Sequence, residues 1–437
     1  MNPLDIHEIG EIVRKVRKER GLRLEDLADE NISPATISNI ERGVPHVSMK
    51  KAHYLLSKLD IDLHNLPDLI MKEQKEHQDL NFQLLSIESM CTTQHTDKAL
   101  HTLEQLDIDD GHPYASTVLY LIGKCHIQKK NWKRAERILF KAVQLTNQGD
   151  PTHNIEAASL AELGLCSYYQ NDLDSALKYT ENGLTAFDPQ GDRPHVQFVL
   201  KQNKAVYLER LGRIGESMRV VESVWESLPF IDESNMVLTF YWLRSELLRR
   251  SKVYEDAILF ATEGLEKARR NTNYNLMYDL WTVLGSVYMD NENWDSAKTC
   301  FNRALELEEF LSSKHKFIVT YARLGVLYIQ LNAWEDAKIV IEKSIQFGKE
   351  YNDIPRLTYA LHTMGDFYRL QGESQEAISY YQHCYELCHQ HHLKEKEYQA
   401  LLRLAQCWEE TNEVEFQKHI RNMYEVQLQL NKLGGRF

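Results

Sequence analysis

The sequence predicts an all-α protein: a small module of short helices, then a right-handed superhelix of about nine helical hairpins. Three observations predict it. Apolar residues recur at helical spacing, and Gly and Pro number only 19 and 10 in 437 residues. From about residue 75 the chain is also self-similar at a nearly fixed period.

Composition sets the class. With 43% hydrophobic and 26% charged residues the chain is neither disordered nor fibrous. No run of about 18 apolar residues occurs, so no membrane span is expected. Charge interrupts Met1–Arg20 every few residues, which argues against a secretory leader and makes the cytoplasm the expected location. The seven cysteines (Cys91, Cys125, Cys166, Cys300, Cys384, Cys388, Cys407) contain no CxxC pair and read as small buried hydrophobes. The net charge of −13 argues against non-specific coating of nucleic acid by the whole molecule. Residues 1–65 carry ten Lys and Arg against eleven Asp and Glu, so nearly all the excess acid lies beyond them.

In the first module, Ile9, Ile12, Val13 and Val16 fall at i, i+3, i+4, i+7, and Gly21 takes the position after the helix end. A short segment with Leu24, Leu27 and Ala28 follows. Ser33 before Pro34 is a helix start, a side-chain cap with proline at the first helical position. Ile37 and Ile40 turn that helix toward a core, and Gly43 ends it. Ala52, Leu55, Leu56 and Leu59 mark a further helix. Short helices with a tight turn between the second and third form a helix-turn-helix.

The run Arg20–Gly43, and within it ISPATISNIERG, resembles the XRE/Cro family of phage-repressor-like domains over about sixty residues. The resemblance implies that the third helix enters the major groove. Thr36, Ser38 and Asn39 would then read bases, with Arg42, Lys50 and Lys51 on phosphates. Arg17 joins a basic stripe of Arg14, Lys15, Lys18 and Arg20 on the first helix. Two departures weaken direct readout. Leu24 stands where the family usually has Gln, and Pro34 where it often has a base-reading side chain. Neither Pro34 nor Ala35 makes a bidentate base contact, which points to shape-dependent recognition.

In the remainder, Trp281, Leu284, Gly285, Tyr288, Ala297, Phe301 and Ala304 match the tetratricopeptide (TPR) pattern. Tyr321, Leu324, Gly325, Tyr328, Ala337 and Ile341 repeat it, as do Leu361, Met364, Gly365, Tyr368, Ala377 and Tyr381. The small residue of each first helix falls at Gly123, Gly164, Ala205, Ser245, Gly285, Gly325, Gly365 and Ala405, a spacing of 40 or 41 from Gly164 onward. A degenerate first copy has Ile87 and Ala99 in these roles. The standard repeat is about 34 residues, and six more add roughly 9 Å per hairpin where helical. Val414–Leu433 is expected to cap the array before Gly434-Gly435. The expected division is 1–65 for the helix-turn-helix domain, 66–83 for a helical linker beginning near Pro67, and 84–437 for the repeats.

First helices of such hairpins line a concave surface. The register places Tyr168, Gln202, Asn203, Trp242, Glu246, Arg249, Asp279, Arg323, His362, Asp366 and Arg369 there. Amides such as Gln202 and Asn203 pair with an extended peptide backbone. The arginines suit a carboxylate, and Trp242 and Tyr168 offer an apolar floor.

An XRE-type head followed by TPR repeats resembles the peptide-pheromone regulators of Gram-positive bacteria: the Rap, Rgg, NprR, PlcR and PrgX group. The turn Ala28–Ser33 is one residue shorter than in typical repressors, as in PlcR-like members. About nine repeats exceed the five of PlcR-like proteins and match NprR-like ones. The resemblance implies three partners: DNA, a short signalling peptide in the groove, and a second copy of the chain in a dimer or tetramer whose geometry the peptide changes. It also implies an alternative, a Rap-like protein that binds a sporulation response regulator and is released by peptide.

Catalysis, a metal and a cofactor are not expected. No Walker loop, GxSxG, HExxH or Gly-rich dinucleotide motif occurs. The densest cluster, Cys384, Cys388, His389, His391 and His392, is explained by packing and by a helix end, and its spacing would strain zinc ligation.

Overall fold

A computed structural model describes residues 6–44, 46–62, 64–93, 95–146, 151–311 and 314–433. Among them are 22 α-helices and no strand. The chain divides into two compact units, Met1–Asn203 and Lys204–Phe437.

The first unit opens with α1 (Ile6–Glu19), α2 (Leu24–Leu27), α3 (Pro34–Glu41) and α4 (Met49–Lys58). Ile9, Val13, Ile37, Ile40, Ala52, Leu55, Leu56 and Leu59 are fully buried in one cluster, the apolar set expected from the spacing. Ser33 caps α3 as the Ser-Pro pair predicts, its hydroxyl accepting from the Thr36 N–H at 3.3 Å. Gly21 and Gly43 both take φ of +65°, which lets the chain turn out of α1 and α3 without a Cβ clash. Gly10 was not foreseen. A Cβ there would lie 2.2 Å from the Ile40 carbonyl oxygen, so α1 crosses α3 with backbone close against backbone.

Then comes α5 (Leu66–Thr92), 27 residues with Pro67 in its first turn. Its Leu66 and Ile70 belong to the head cluster, while Leu84, Ile87 and Cys91 belong to the array. The charged connector and the opening helix of the degenerate first repeat are therefore one continuous rod. The unit goes on with α6 (Thr96–Gln105), α7 (Ala115–Gln128), α8 (Trp132–Leu145), α9 (Ile155–Tyr169) and α10 (Leu173–Ala186), and reaches into α11 (His195–Arg210).

The second unit holds α12 (Ile214–Trp225), α13 (Ser234–Arg250), α14 (Tyr254–Arg270), α15 (Tyr274–Asp290), α16 (Trp294–Leu305) and α17 (Phe317–Gln330). It ends with α18 (Trp334–Glu350), α19 (Ile354–Leu370), α20 (Ser374–Gln390), α21 (Lys394–Trp408) and α22 (Glu413–Leu433). Successive helices from α5 onward pair as nine hairpins among the described residues, and α22 is the second helix of the ninth. Gly434-Gly435 lie outside the described residues.

The small residues do what the repeat pattern requires. A Cβ at Gly285 would meet the Phe301 ring at 2.8 Å, one at Gly325 would meet Ile341 at 2.3 Å, and one at Gly365 would meet Tyr381 at 2.4 Å. Ser245, at the same register, donates its hydroxyl to the Ala257 carbonyl at 2.8 Å and so pins the crossing of α13 with α14. The turns inside five successive hairpins, from α11–α12 to α19–α20, each carry one left-handed residue at the repeat spacing: Gly212, Lys252, Glu292, Asn332 and Gly372. Three of these are not glycine, so packing of the flanking helices holds a conformation that the side chain disfavours.

Candidate functional site

On the head, α3 presents Ala35 and Arg42 to solvent, with Thr36, Ser38 and Asn39 half-buried beside them. Arg42 donates to Asn39 Oδ1 at 2.6 Å and to the Ser38 carbonyl at 3.3 Å, which turns the Asn39 amide oxygen toward the guanidinium. Thr36 Oγ1 lies 2.9 Å from Ser33 Oγ and thus shares in the cap. Lys50 and Lys51 are exposed in the first turns of α4 and make no ion pair among the described residues. Four of the seven residues expected to face DNA thus gather on α3, and the two lysines of α4 stay uncommitted.

Arg17 is different. Its guanidinium forks onto Glu41, Nε to Oε1 at 2.6 Å and Nη2 to Oε2 at 2.9 Å. The remaining nitrogen donates to the Leu22 carbonyl at 2.8 Å. The two side chains are 13% and 7% exposed, so Arg17 is a strut between α1 and α3 rather than a phosphate contact. The rest of the expected stripe is largely answered too. Lys15 pairs with Glu73 and Glu76 of α5, Lys18 with Asp109 at 2.7 Å, and Arg20 with Asp60 at 3.7 Å.

Asp29, in the turn before α3, escaped notice in the sequence. Its carboxylate accepts from Lys58 and the Tyr54 hydroxyl, each at 2.7 Å, and from the N–H groups of Asn31 and Ile32. The Lys58 and Tyr54 bonds hold its pKa well below the usual carboxylate range. The signal was an aspartate that closes a turn on its own backbone.

The residues of the first unit expected in the groove are Tyr168 on α9, packed edge-on to Tyr169 at 5.5 Å, and Gln202 and Asn203 on α11. Both amides are half-buried and make no hydrogen bond among the described residues.

In the second unit the first helices of successive hairpins pack side by side, α13 on α15, α15 on α17, α17 on α19 and α19 on α21. Trp242, half-buried, belongs to the α13–α15 apolar cluster. Glu246, 4% exposed, accepts from both Arg249 and Arg250. Burial pushes its carboxyl up, yet the Arg249 hydrogen bonds and the charges of Arg249, Arg323 and Arg250 outweigh that and hold it at about 2. Arg249 also reaches Asp290 on α15. Asp279 is held by Lys316 at 2.7 Å, and Arg323 donates to Ser286 Oγ at 2.6 Å. On α19, Asp366 accepts from the Tyr381 hydroxyl at 2.7 Å and pairs with Arg403 at 3.0 Å, with His362 at 3.3 Å and Arg369 at 3.9 Å.

The eight predicted residues of this unit thus lie on adjacent helices, but they are unequal. Arg249 and Asp366 already face opposite charges, whereas Arg323 donates to a hydroxyl and has no ion pair among the described residues. The sequence reading missed Asp290, Arg403 and Lys396, each two helices on from the residues it bonds.

Among the described residues no group of three or more His, Cys, Asp or Glu is placed to hold a metal ion. Cys384 and Cys388 are buried packing residues, Cys384 Sγ lying 3.3 Å from the Thr358 carbonyl. No helix among the described residues is long and apolar enough to cross a membrane.

Comparison with known families places this architecture. A helix-turn-helix model matches residues 13–66, and tetratricopeptide-repeat models match 278–310 and 360–391. The chain therefore joins a helix-turn-helix domain to a tetratricopeptide-repeat array. Its fold is shared with solved quorum-sensing proteins. Apo NprR, a quorum sensor from B. thuringiensis, superposes with a TM-score of 0.61 at 16% identity, over 80% of this chain and 99% of that one. NprR in complex with its cognate peptide NprX gives 0.59 at 16% identity, over 80% and 99%. A Rap protein complexed with competence and sporulation factor gives 0.60 at 11% identity, over 81% and 99%. No curated protein matches the sequence.

Proposed function

We propose that this protein is a peptide-responsive transcription regulator. Residues 1–65 bind DNA, residues 66–83 connect, and the array of 84–437 holds a short peptide against the first helices of its hairpins. Thr36, Ser38 and Asn39 face the bases, with Arg42, Lys50 and Lys51 on phosphates; Arg17 supports the head from inside. Peptide binding changes the geometry of a homodimer or tetramer, and with it the spacing of two heads, by its differential affinity for the two states. NprR-like members are the nearer parallel, because the head is present on the same chain.

The observation that carries this reading is that Arg42, after α3, and Lys50 and Lys51 on α4 have no carboxylate partner among the described residues, in a head whose other basic residues largely have one. Binding of the full chain to a promoter fragment across a salt series tests it. Steep salt dependence that weakens in Arg42→Ala and Lys50→Ala supports DNA recognition. Salt-independent or absent binding refutes it.

One feature favours a second reading, a Rap-like protein that sequesters a response regulator. Pro34 and Ala35 open the recognition helix with nothing to offer a base edge. A complex with a receiver domain that peptide dissolves, in the absence of DNA binding, would decide for it.

A further inference from the structure

On the first helices of the second unit, Glu209, Glu246, Asp279, Asp290 and Asp366 each face a cation within 4 Å. The reverse does not hold. Arg323 and Lys396 have no carboxylate at that distance among the described residues. Lys396, half-buried at the start of α21, donates to the Pro355 carbonyl and, at 3.4 Å, to Thr358 Oγ1. Both partners are neutral and stand in the first turns of α19, the end where a helix is electropositive. Asp353, which caps α19, is paired with Arg356. Burial pulls the Lys396 ammonium below its ordinary pKa. A desolvated cation beside a helix N-terminus, with no carboxylate within 4 Å among the described residues and Asp353 acting on it only from farther off, is an incomplete arrangement.

Lys396 lines a cavity of about 220 Å³ with Val326, Tyr359, His362, Thr363 and Gln399, among others. Asp366 lies on the same wall; Tyr381 and Arg403 both hold its Oδ1, and its Oδ2 is 3.3 Å from His362 Nδ1. The volume is below the roughly 300–1,000 Å³ of sites that enclose a whole small ligand. It suits one residue of a longer one.

We propose that this cavity takes one carboxylate of the bound peptide, with Lys396 as its charge partner, positioned by the Pro355 carbonyl and by Thr358 Oγ1, whose own proton goes to Pro355, and with the Gln399 amide donating beside it. The proposal rests on the peptide reading and adds a chemical requirement to it: the peptide presents an anion here, either its C-terminus or an Asp or Glu side chain.

The probe is a library of random heptapeptides with free C-termini, screened against the full-length protein. Each binder is resynthesised in two neutral forms, one amidated at the C-terminus and one with Asp and Glu replaced by Asn and Gln. The wild type is expected to bind one neutral form at least about tenfold more weakly, as for a charge-assisted hydrogen bond, and which form weakens identifies the source. Lys396→Met should bind charged and neutral forms alike, and Lys396→Arg should keep the preference. If Lys396→Met loses its cooperative melting transition, Lys396→Arg and Thr358→Val carry the test, the second expected to reduce the preference. Binders that show no preference in the wild type, or the same preference in Lys396→Met, overturn the proposal alone. A library that yields no binder overturns the peptide reading and this proposal with it.

Discussion

On α1, Lys15, Arg17 and Lys18 turn toward carboxylates of α5, of α3 and of the segment before α7. After α3 and on α4, Arg42 donates to a neutral amide and a carbonyl, and Lys50 and Lys51 make no ion pair among the described residues. The two sets are alike in sequence, runs of basic residues on amphipathic helices. They differ because α1 lies against other parts of the first unit, whereas α3 and α4 keep one face in solvent. A basic residue is therefore an index of phosphate binding only after its intramolecular partners are known.

Substitutions that remove one partner at a time sharpen this contrast. The largest effect is expected from Glu41→Ala, which leaves the Arg17 guanidinium, 13% exposed, without its counter-charge. Breaking such a pair costs about 3–5 kcal/mol, read from the urea unfolding midpoint. A cost like that of an exposed pair would show that Arg17 is free to serve elsewhere.

Next in size are the DNA-facing cations. Arg42→Ala and Lys50→Ala should each lower the slope of log K against log salt by about 1. Lys15→Ala and Lys18→Ala should leave that slope as it is. Equal flattening in both sets would erase the distinction drawn between them.

Asp29 gives a pH signature. Its carboxyl is held below the ordinary value. Its contribution to stability is therefore complete above the unfolded pKa of about 4 and fades as pH falls through the lower folded value. Denaturant titrations should find Asp29→Asn less stable than the wild type near pH 7, with the gap closing below about pH 4. A gap independent of pH would assign the loss to shape rather than charge. The smallest effect is expected for Lys18→Ala: its pair with Asp109 is exposed on both sides, and about 0.5 kcal/mol or less is lost.

Much of this was legible beforehand. The Ser33-Pro34 cap, the glycines after α1 and α3, and the 40-residue recurrence of small residues need only neighbours in sequence to be recognised. Gly10 was not legible, because the Ile40 carbonyl it admits is thirty positions away. Nor was the function of Arg17, whose carboxylate is 24 residues on. The register assigned Arg249 and Asp366 to the groove without showing that their charges are answered from α15 and α21.

By itself the sequence determined where helices begin and end, how they pair and at what interval the pairs recur. Those are consequences of local backbone preference and of apolar periodicity, both short-range along the chain. Only the tertiary structure decided which charges remain available to a ligand. Coulomb pairing depends on distance in space, and helices that meet bring together groups that the chain keeps tens of residues apart.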